Sequence, residues 1–311
     1  MSPNPICKKC GAPVGHGYFT ALGFAWHADH FLCAGCNQPI REASFCQYKG
    51  HPYHPSCHLN RFAPRCAYCR KPLAGTYLTD YWQTSFCPSH QSEYPDCRFC
   101  NRLVPPDDQE SGSVDQSSVR CLKCRAVAVE SIVQARALFD QVIKWIKGQG
   151  LLYNDTKLNL LLGNQDQFHE HVNKHLKGTI DKHTLGVTLI RSFGVGGLNV
   201  RTEIRGVAIL RSLPTALFQA VAAHELGHVW LTVHGMIDLS DCAAEGFCEL
   251  LAYRWLGHMG THESRYYATG IEKSKHTIYG DGFREIRRLA QIVGFDDLIR
   301  TLLATKHLPA A

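Results

Sequence analysis

Sixteen cysteines and histidines between Cys7 and Cys124 fall into eight pairs whose members are separated by two residues. The pairs are Cys7/Cys10, His27/His30, Cys33/Cys36, His54/Cys57, Cys66/Cys69, Cys87/His90, Cys97/Cys100 and Cys121/Cys124. Two intervening residues form a tight knuckle that aims both side chains at one ion. Zinc accepts thiolate sulfur and imidazole nitrogen in a closed tetrahedron, so eight pairs predict four structural sites. Segments this short bury too little apolar surface to fold alone, and metal binding supplies the missing free energy. Three of the 15 cysteines, Cys46, Cys242 and Cys248, are left outside the pairing. A disulfide framework would need an oxidising compartment, whereas the N-terminus MSPNPICKKCGAPVGHGYF has no apolar stretch fit for export. No apolar run is long enough to span a membrane. The expectation is a cytoplasmic zinc protein with no membrane partner. The net charge of +6 is spread along the chain without a Lys/Arg block, which argues against nucleic acid as a partner.

The first module resembles a LIM domain. Its order is C-x2-C, sixteen residues, H-x2-H, two residues, C-x2-C, seventeen residues, H-x2-C. The two-residue link between His30 and Cys33 is the LIM hallmark. It implies one site of Cys7, Cys10, His27 and His30, and a second of Cys33, Cys36, His54 and Cys57. The second module departs from the pattern, with six residues between His90 and Cys97. Its sites are expected to be Cys66, Cys69, Cys87 and His90, then Cys97, Cys100, Cys121 and Cys124. Each site should be built from short hairpins, with Phe19, Trp26, Phe31 and Tyr53 as small-core packing rather than a peptide-binding surface. The polar, turn-rich stretch Pro105 to Ser118 reads as a loop within the last zinc hairpin. The expected organisation is a LIM module over 1–62, a LIM-like module over 63–125 and a third domain over 126–311.

Beyond Cys124 the composition changes. Val129, Ile132, Val133, Leu138, Phe139, Val142, Ile143 and Ile146 recur with a helical period, and Gly148 ends the pattern. Thr184 to Arg191 and Thr202 to Leu210 are β-branched-rich and read as strands, with SFGVGGLNV as a flexible hairpin connection. Those glycines precede neither Lys-Ser/Thr nor a helix, so they form no phosphate loop. Pro214 is placed to open the next helix, with Ser212 as its cap.

That helix contains His224-Glu225-Leu226-Gly227-His228. Positions four apart share one helix face, so the two imidazoles can chelate one ion. Glu225 turns toward the same cleft and is placed to take a proton from metal-bound water. Gly227 costs roughly 1 kcal/mol against Ala inside a helix, and a crowded metal site would explain it. A catalytic site needs a third protein ligand and an open position. His234 lies six residues past His228, about 240° around the helix, and is disfavoured. Glu245 on the following segment, DCAAEGFCELLAY, is the better candidate, the gluzincin arrangement. Glu249, one turn on, is either a partner that orients a ligand histidine or a solvated helix charge.

Taken together, WHADHFLCAGCNQPI, FCPSH with PDCRFC, AHELGHVWL, AEGFCELLA and IYGDGFR resemble the plant DA-one and DAR growth-control peptidases, in the same order along the chain. The resemblance implies an α+β architecture: tandem LIM and LIM-like zinc modules, then a mostly helical zincin-like domain with a small sheet. It implies His224, His228 and Glu245 as ligands of a catalytic Zn2+ and Glu225 as the catalytic carboxylate, beside four structural zinc ions. It also implies protein substrates, with ubiquitin or ubiquitinated proteins as partners. The plant members carry ubiquitin-interacting helices ahead of a zinc array that here starts at Cys7, which leaves activation by ubiquitin, a different control or none as the open readings. In the IYGDGFRE stretch, Tyr279 or His276 is expected to donate to the oxyanion of a tetrahedral intermediate, the competing reading being a simple turn. A strand over Thr202 to Leu210 is expected to align an extended substrate. The function expected is a zinc-dependent endopeptidase whose zinc modules recruit or regulate. The alternatives are a non-catalytic zinc-scaffold adaptor for protein–protein contacts, and a nucleic-acid-binding zinc protein.

Overall fold

A computed structural model describes residues 4–15, 17–109, 119–164, 167, 184–195, 198–236 and 238–309, with backbone alone at 192–195 and 198–201. The chain forms two compact units. One comprises Met1–Asp96 with Arg102–Gln109, the other Cys97–Asn101 with Glu110–Ala311.

The first unit is a series of two-stranded antiparallel hairpins: β1 (Phe19–Ala21) with β2 (Phe24–Trp26), β3 (Cys46–Tyr48) with β4 (His51–Tyr53), and β5 (Leu78–Thr79) with β6 (Ser85–Phe86). Helix α1 (Pro55–Phe62) follows β4; Pro55 sits at its start, where a missing N–H costs nothing. A short turn of helix, α2 (His90–Glu93), follows β6. The unit contains two small aromatic and thiol cores. Phe31 is buried, with the Phe19, Trp26 and Phe45 rings 5.1, 5.3 and 5.0 Å away, and Tyr53 is buried in the same cluster. Cys66, Leu73, Phe86 and Leu103 form the second. The expected aromatic packing role of these rings is what the structure contains. Of the loop expected over Pro105 to Ser118, a 3-10 turn occupies Pro106–Asp108, and residues 110–118 lie outside the described residues.

The second unit begins with α3 (Leu122–Ala126) and α4 (Ile132–Gly148). The Ser131 side chain caps α4 by accepting from Gln134 N, which delays the helix start past the apolar pattern. Ala135, Phe139, Val142 and Ile146 form its buried face. A three-stranded sheet follows, of β7 (Leu160–Gly163), β8 (Gly186–Val195) and β9 (Leu198–Leu210), in the order β7-β9-β8. β9 is parallel to β7 and antiparallel to β8. The strands run further into SFGVGGLNV than expected, and Gly196 and Gly197 lie outside the described residues. Over Val207–Leu210 β9 has a neighbour on each side, so that half of the strand expected to align a substrate has its backbone already paired. Among the described residues, β8 is the edge strand of this sheet and lies against the helix carrying Val221 and Glu225.

Among the described residues, five helices follow the sheet: α5 (Thr215–Val233), α6 (Asp241–Met259), α7 (His262–Lys273), α8 (Gly282–Val293) and α9 (Phe295–Thr305). A single π turn, Thr277–Asp281, joins α7 to α8. α5 is buried around most of its circumference, with Phe218, Leu226, Val229 and Trp230 fully enclosed. Pro214 is its N-cap position, and Ser212 does not cap it: Ser212 sits at φ 70° and donates to Glu130 Oε2 instead. Two glycine contacts set the helix crossings. A Cβ on Gly227 of α5 would stand 2.8 Å from Cys248 Sγ and 3.2 Å from its Cα on α6. A Cβ on Gly246 of α6 would stand 2.3 Å from the Gly282 carbonyl carbon at the start of α8. Gly227 is therefore required by the neighbouring helix, not by crowding at a metal as the sequence suggested. Among the described residues, no helix is long and apolar enough to cross a membrane.

Candidate metal centre

α5 and α6 are pressed together at Gly227, and this brings Glu245 under the two histidines. His224 Nε2 and His228 Nε2 are 3.2 Å apart, and Glu245 Oε2 lies 3.1 Å from the first and 3.3 Å from the second. Donors held at about 2.0–2.1 Å on tetrahedral corners stand about 3.3 Å from one another. The triangle therefore already has the edges of a zinc site. Glu245 Oε2 is buried and receives no hydrogen bond, as an atom reserved for a cation would be. Burial acts to raise the Glu245 carboxyl, but the imidazoles beside it outweigh this and hold it at about 2.

The surrounding groups orient this triangle. Glu249 Oε1 lies 3.3 Å from His224 Nδ1, so it is the orienting partner rather than a solvated charge. Burial would lower the His224 pKa; Glu245 and Glu249 overcome it and raise the imidazole well above its ordinary value. Glu225 is buried, and the Thr188 hydroxyl on β8 stands 2.9 Å from both its backbone oxygen and its Oε2. Gly186, two residues earlier on the same strand face, lets β8 lie on α5: a Cβ there would meet Val221 Cγ1 at 2.4 Å and Glu225 Cγ at 3.0 Å. The sequence reading missed Thr188 and Gly186. Their only signal is that two small residues alternate on one face of a strand.

His224, Glu225, Glu249, His276 and Tyr279 line one cavity of about 540 Å³. The Tyr279 ring centroid is 6.2 Å from that of His224. Burial, then the charges of Glu245, Glu225 and Glu249, push its hydroxyl up to about 12, which keeps it a donor. His276 acts on the backbone instead, where its Nδ1 accepts from the Ile278 and Tyr279 amides and caps the π turn. His234 stands apart from the triangle, its Nε2 3.0 Å from the Leu152 carbonyl.

The sixteen knuckle residues gather into the four expected groups, with donor atoms of each group within 4.8 Å of one another. Cys7 Sγ to His30 Nδ1 and Cys10 Sγ to His27 Nδ1 are both 3.5 Å, Cys36 Sγ to His54 Nδ1 is 3.3 Å, and Cys69 Sγ to Cys87 Sγ is 3.8 Å. Thiolates at about 2.3 Å from zinc would stand about 3.8 Å apart, and mixed pairs slightly closer. His54 Nε2 lies 3.2 Å from the Pro39 carbonyl and His90 Nδ1 2.9 Å from Glu93 Oε2, which fixes the tautomer of each ring. The buried His90 Nε2 has no hydrogen-bond partner and faces its cysteines, as a ligand nitrogen would. All four cysteines of the last group, Cys97, Cys100, Cys121 and Cys124, are buried. Cys46, Cys242 and Cys248 join none of these groups.

Short hairpins carrying cysteine and histidine clusters of the zinc-binding type, followed by a helical region with a two-histidine, one-glutamate triangle, define a LIM-domain protein. Residues 7–62 match the LIM domain, and residues 190–269, which include the whole triangle, match the family described as DA1-like, Protein DA1. The chain matches the DA1 and DA1-related family of LIM-domain proteins. Protein DA1 of Arabidopsis thaliana is 26% identical over 98% of this chain and 68% of its own length. The LIM domain-containing protein HDR3 of rice is 26% identical over 81% of this chain and 56% of its own length. The mouse PDZ and LIM domain protein 7 is 38% identical, but over 24% of this chain. The chain thus spans between about half and two thirds of the length of its plant relatives.

Proposed function

We propose that this chain is a zinc-dependent endopeptidase acting on protein substrates, with its LIM-type modules recruiting substrate or governing access. The observation that carries this reading is the triangle of His224 Nε2, His228 Nε2 and Glu245 Oε2 beside a cavity lined by Glu225 and Tyr279. His224, His228 and Glu245 would hold Zn2+, which would supply a Lewis acid and an acidified water. Glu225 accepts the proton of the attacking water and returns it to the leaving amine. Thr188 holds the Glu225 carboxylate in place from the strand side. Tyr279, protonated at neutral pH, donates to the oxyanion of the tetrahedral intermediate. Glu249 holds the His224 ring through Nδ1. Substrate lies extended along β8, the edge strand against α5.

The test combines metal analysis with cleavage of a denatured protein in wild type and Glu225→Gln. About five zinc ions per chain are expected, four structural and one catalytic. The variant should keep its zinc and lose activity by about 10³-fold. Equal cleavage by wild type and variant would end the peptidase reading and leave a zinc scaffold.

A further inference from the structure

Of the four thiol-rich groups, the last belongs to the same compact unit as α5. Cys97–Asn101 and the segment carrying Cys121 and Cys124 both pack within it. Cys121 caps α3 by accepting from Cys124 N, and Cys97 Sγ accepts from Cys121 N at 3.3 Å. Directly after Cys124, residues Val127 to Val129 run antiparallel to Leu213 to Thr215, the residues that open α5. Val129 N donates to Leu213 O at 2.9 Å, Ser212 N to Val129 O at 2.9 Å, and Thr215 N to Val127 O at 3.0 Å. The Thr215 hydroxyl also donates to Val127 O, at 2.8 Å. α5 has no side-chain cap of its own. Its first amide is satisfied by a carbonyl three residues from a zinc-type cysteine. A second strap lies alongside. Arg120, next to Cys121, donates to Ser212 O at 3.4 Å and sits 3.6 Å from Glu130 Oε1. Glu130 Oε2 accepts in turn from Arg211 Nε and Ser212 Oγ, both at 3.0 Å. Val129 and Leu213 at the centre of this junction are fully buried.

We propose that Zn2+ at Cys97, Cys100, Cys121 and Cys124 is the anchor of α5, and that its occupancy sets how tightly the His224, His228 and Glu245 triangle holds its own ion. Arg120 and Glu130 are positioning residues in this scheme. The ion orders the Cys121–Cys124 knuckle, the knuckle orders Val127–Val129, and that segment fixes the helix start roughly 14 Å from His224 along the axis. The proposal rests on the metal-binding part of the reading above and is independent of turnover.

The test uses the full chain and three variants: Cys124→Ser, Cys57→Ser as a control in the other unit, and the double variant Arg120→Gln/Glu130→Gln, which leaves every metal ligand intact. Amide hydrogen exchange in residues 215–228 and zinc content after dialysis against a weak chelator are measured on each. Cys124→Ser is expected to exchange these amides at least tenfold faster and to lose the ion of the His224 site along with its own. Cys57→Ser should lose only its own ion and leave α5 exchange unchanged. The double variant should speed α5 exchange while retaining the four-cysteine ion. If Cys124→Ser does not fold, the double variant decides. Unchanged exchange in the double variant, or an equal effect from Cys57→Ser, overturns the proposal. A chain that shows the expected exchange pattern but cleaves nothing would refute the peptidase reading alone.

Discussion

Replacing Gly227 by alanine sets two effects of opposite sign against each other. Alanine in a helix interior is better than glycine by about 1 kcal/mol, so an unconstrained helix would be stabilised. Here the new methyl would stand 2.8 Å from Cys248 Sγ, 3.2 Å from Cys248 Cα and 3.2 Å from Leu251 Cδ1. A side chain can turn aside, but the Cα at 3.2 Å is backbone, and α5 and α6 must part by some tenths of an ångström. Overpacking of this kind costs about 1–3 kcal/mol. The expected net is a destabilisation on the order of 1 kcal/mol, read as a fall in the unfolding midpoint. The larger effect should fall on the metal triangle, because Glu245 lies three residues before Cys248 on the helix that is pushed away. Groups that position zinc ligands typically change affinity by about 10–100-fold when disturbed, and that range is expected from a chelator titration of the His224 site. Cys248→Ala in the same chain should restore part of the loss, since it removes the 2.8 Å contact and leaves the 3.2 Å one. A Gly227→Ala protein that unfolds later and binds zinc as tightly as wild type would refute the argument that this crossing holds the triangle together.

Thr188→Val keeps the shape of the side chain and removes the donor to the buried Glu225 carboxylate, so kcat should fall by about 10–100-fold with zinc content unchanged; an unaltered kcat would show the hydroxyl idle. Tyr279→Phe should lower kcat more than it raises KM, and equal turnover would remove the oxyanion role given to the hydroxyl. With the triangle emptied by mild chelation and the cysteine sites still filled, stability should depend on pH at both ends. Glu245, held at about 2 against an ordinary 4.5, stabilises fully above 4.5 and loses that contribution as pH falls toward 2. His224, raised above its ordinary 6.5 by Glu245 and Glu249 against the pull of burial, stabilises fully below 6.5 and loses that as pH climbs through its folded value. Thermal midpoints that rise with pH above 6.5 in the emptied protein, and not in the loaded one, would contradict the assigned pairings.

The zinc knuckles were legible because their chemistry is local: two residues of spacing suffice to aim a pair of side chains. The histidines of α5 were legible for the same reason, being one helical turn apart. Glu245 came from the second helix by its position after the motif, and the structure puts its carboxylate 3.1 Å from His224. What escaped the sequence were contacts between separate segments that no motif announces. Thr188 reaches Glu225 across 37 residues, and a threonine in a strand carries no mark of that partner. Ser212 was expected to cap α5 because it is a capping residue two positions before Pro214; the strap to Glu130, 82 residues away, claims its hydroxyl first. The strand Thr202 to Leu210 looked available because its pairing, with β8 on one side and with β7 over Val207–Leu210 on the other, is invisible without the register. Gly227 was noticed, but its reason lay in a helix that had yet to be placed.

The crossing of Gly246 with Gly282 restricts the history of this chain as much as its shape. A methyl on either residue would fall within 2.4 Å of the other helix's main chain, and main chain cannot rotate out of the way. Drift at one position therefore cannot be absorbed by a change at the other. Lineages that keep these helices in contact should retain glycine at both places however far their surfaces diverge, and a lineage that lost one of them should show the segment from 282 onward shifted bodily.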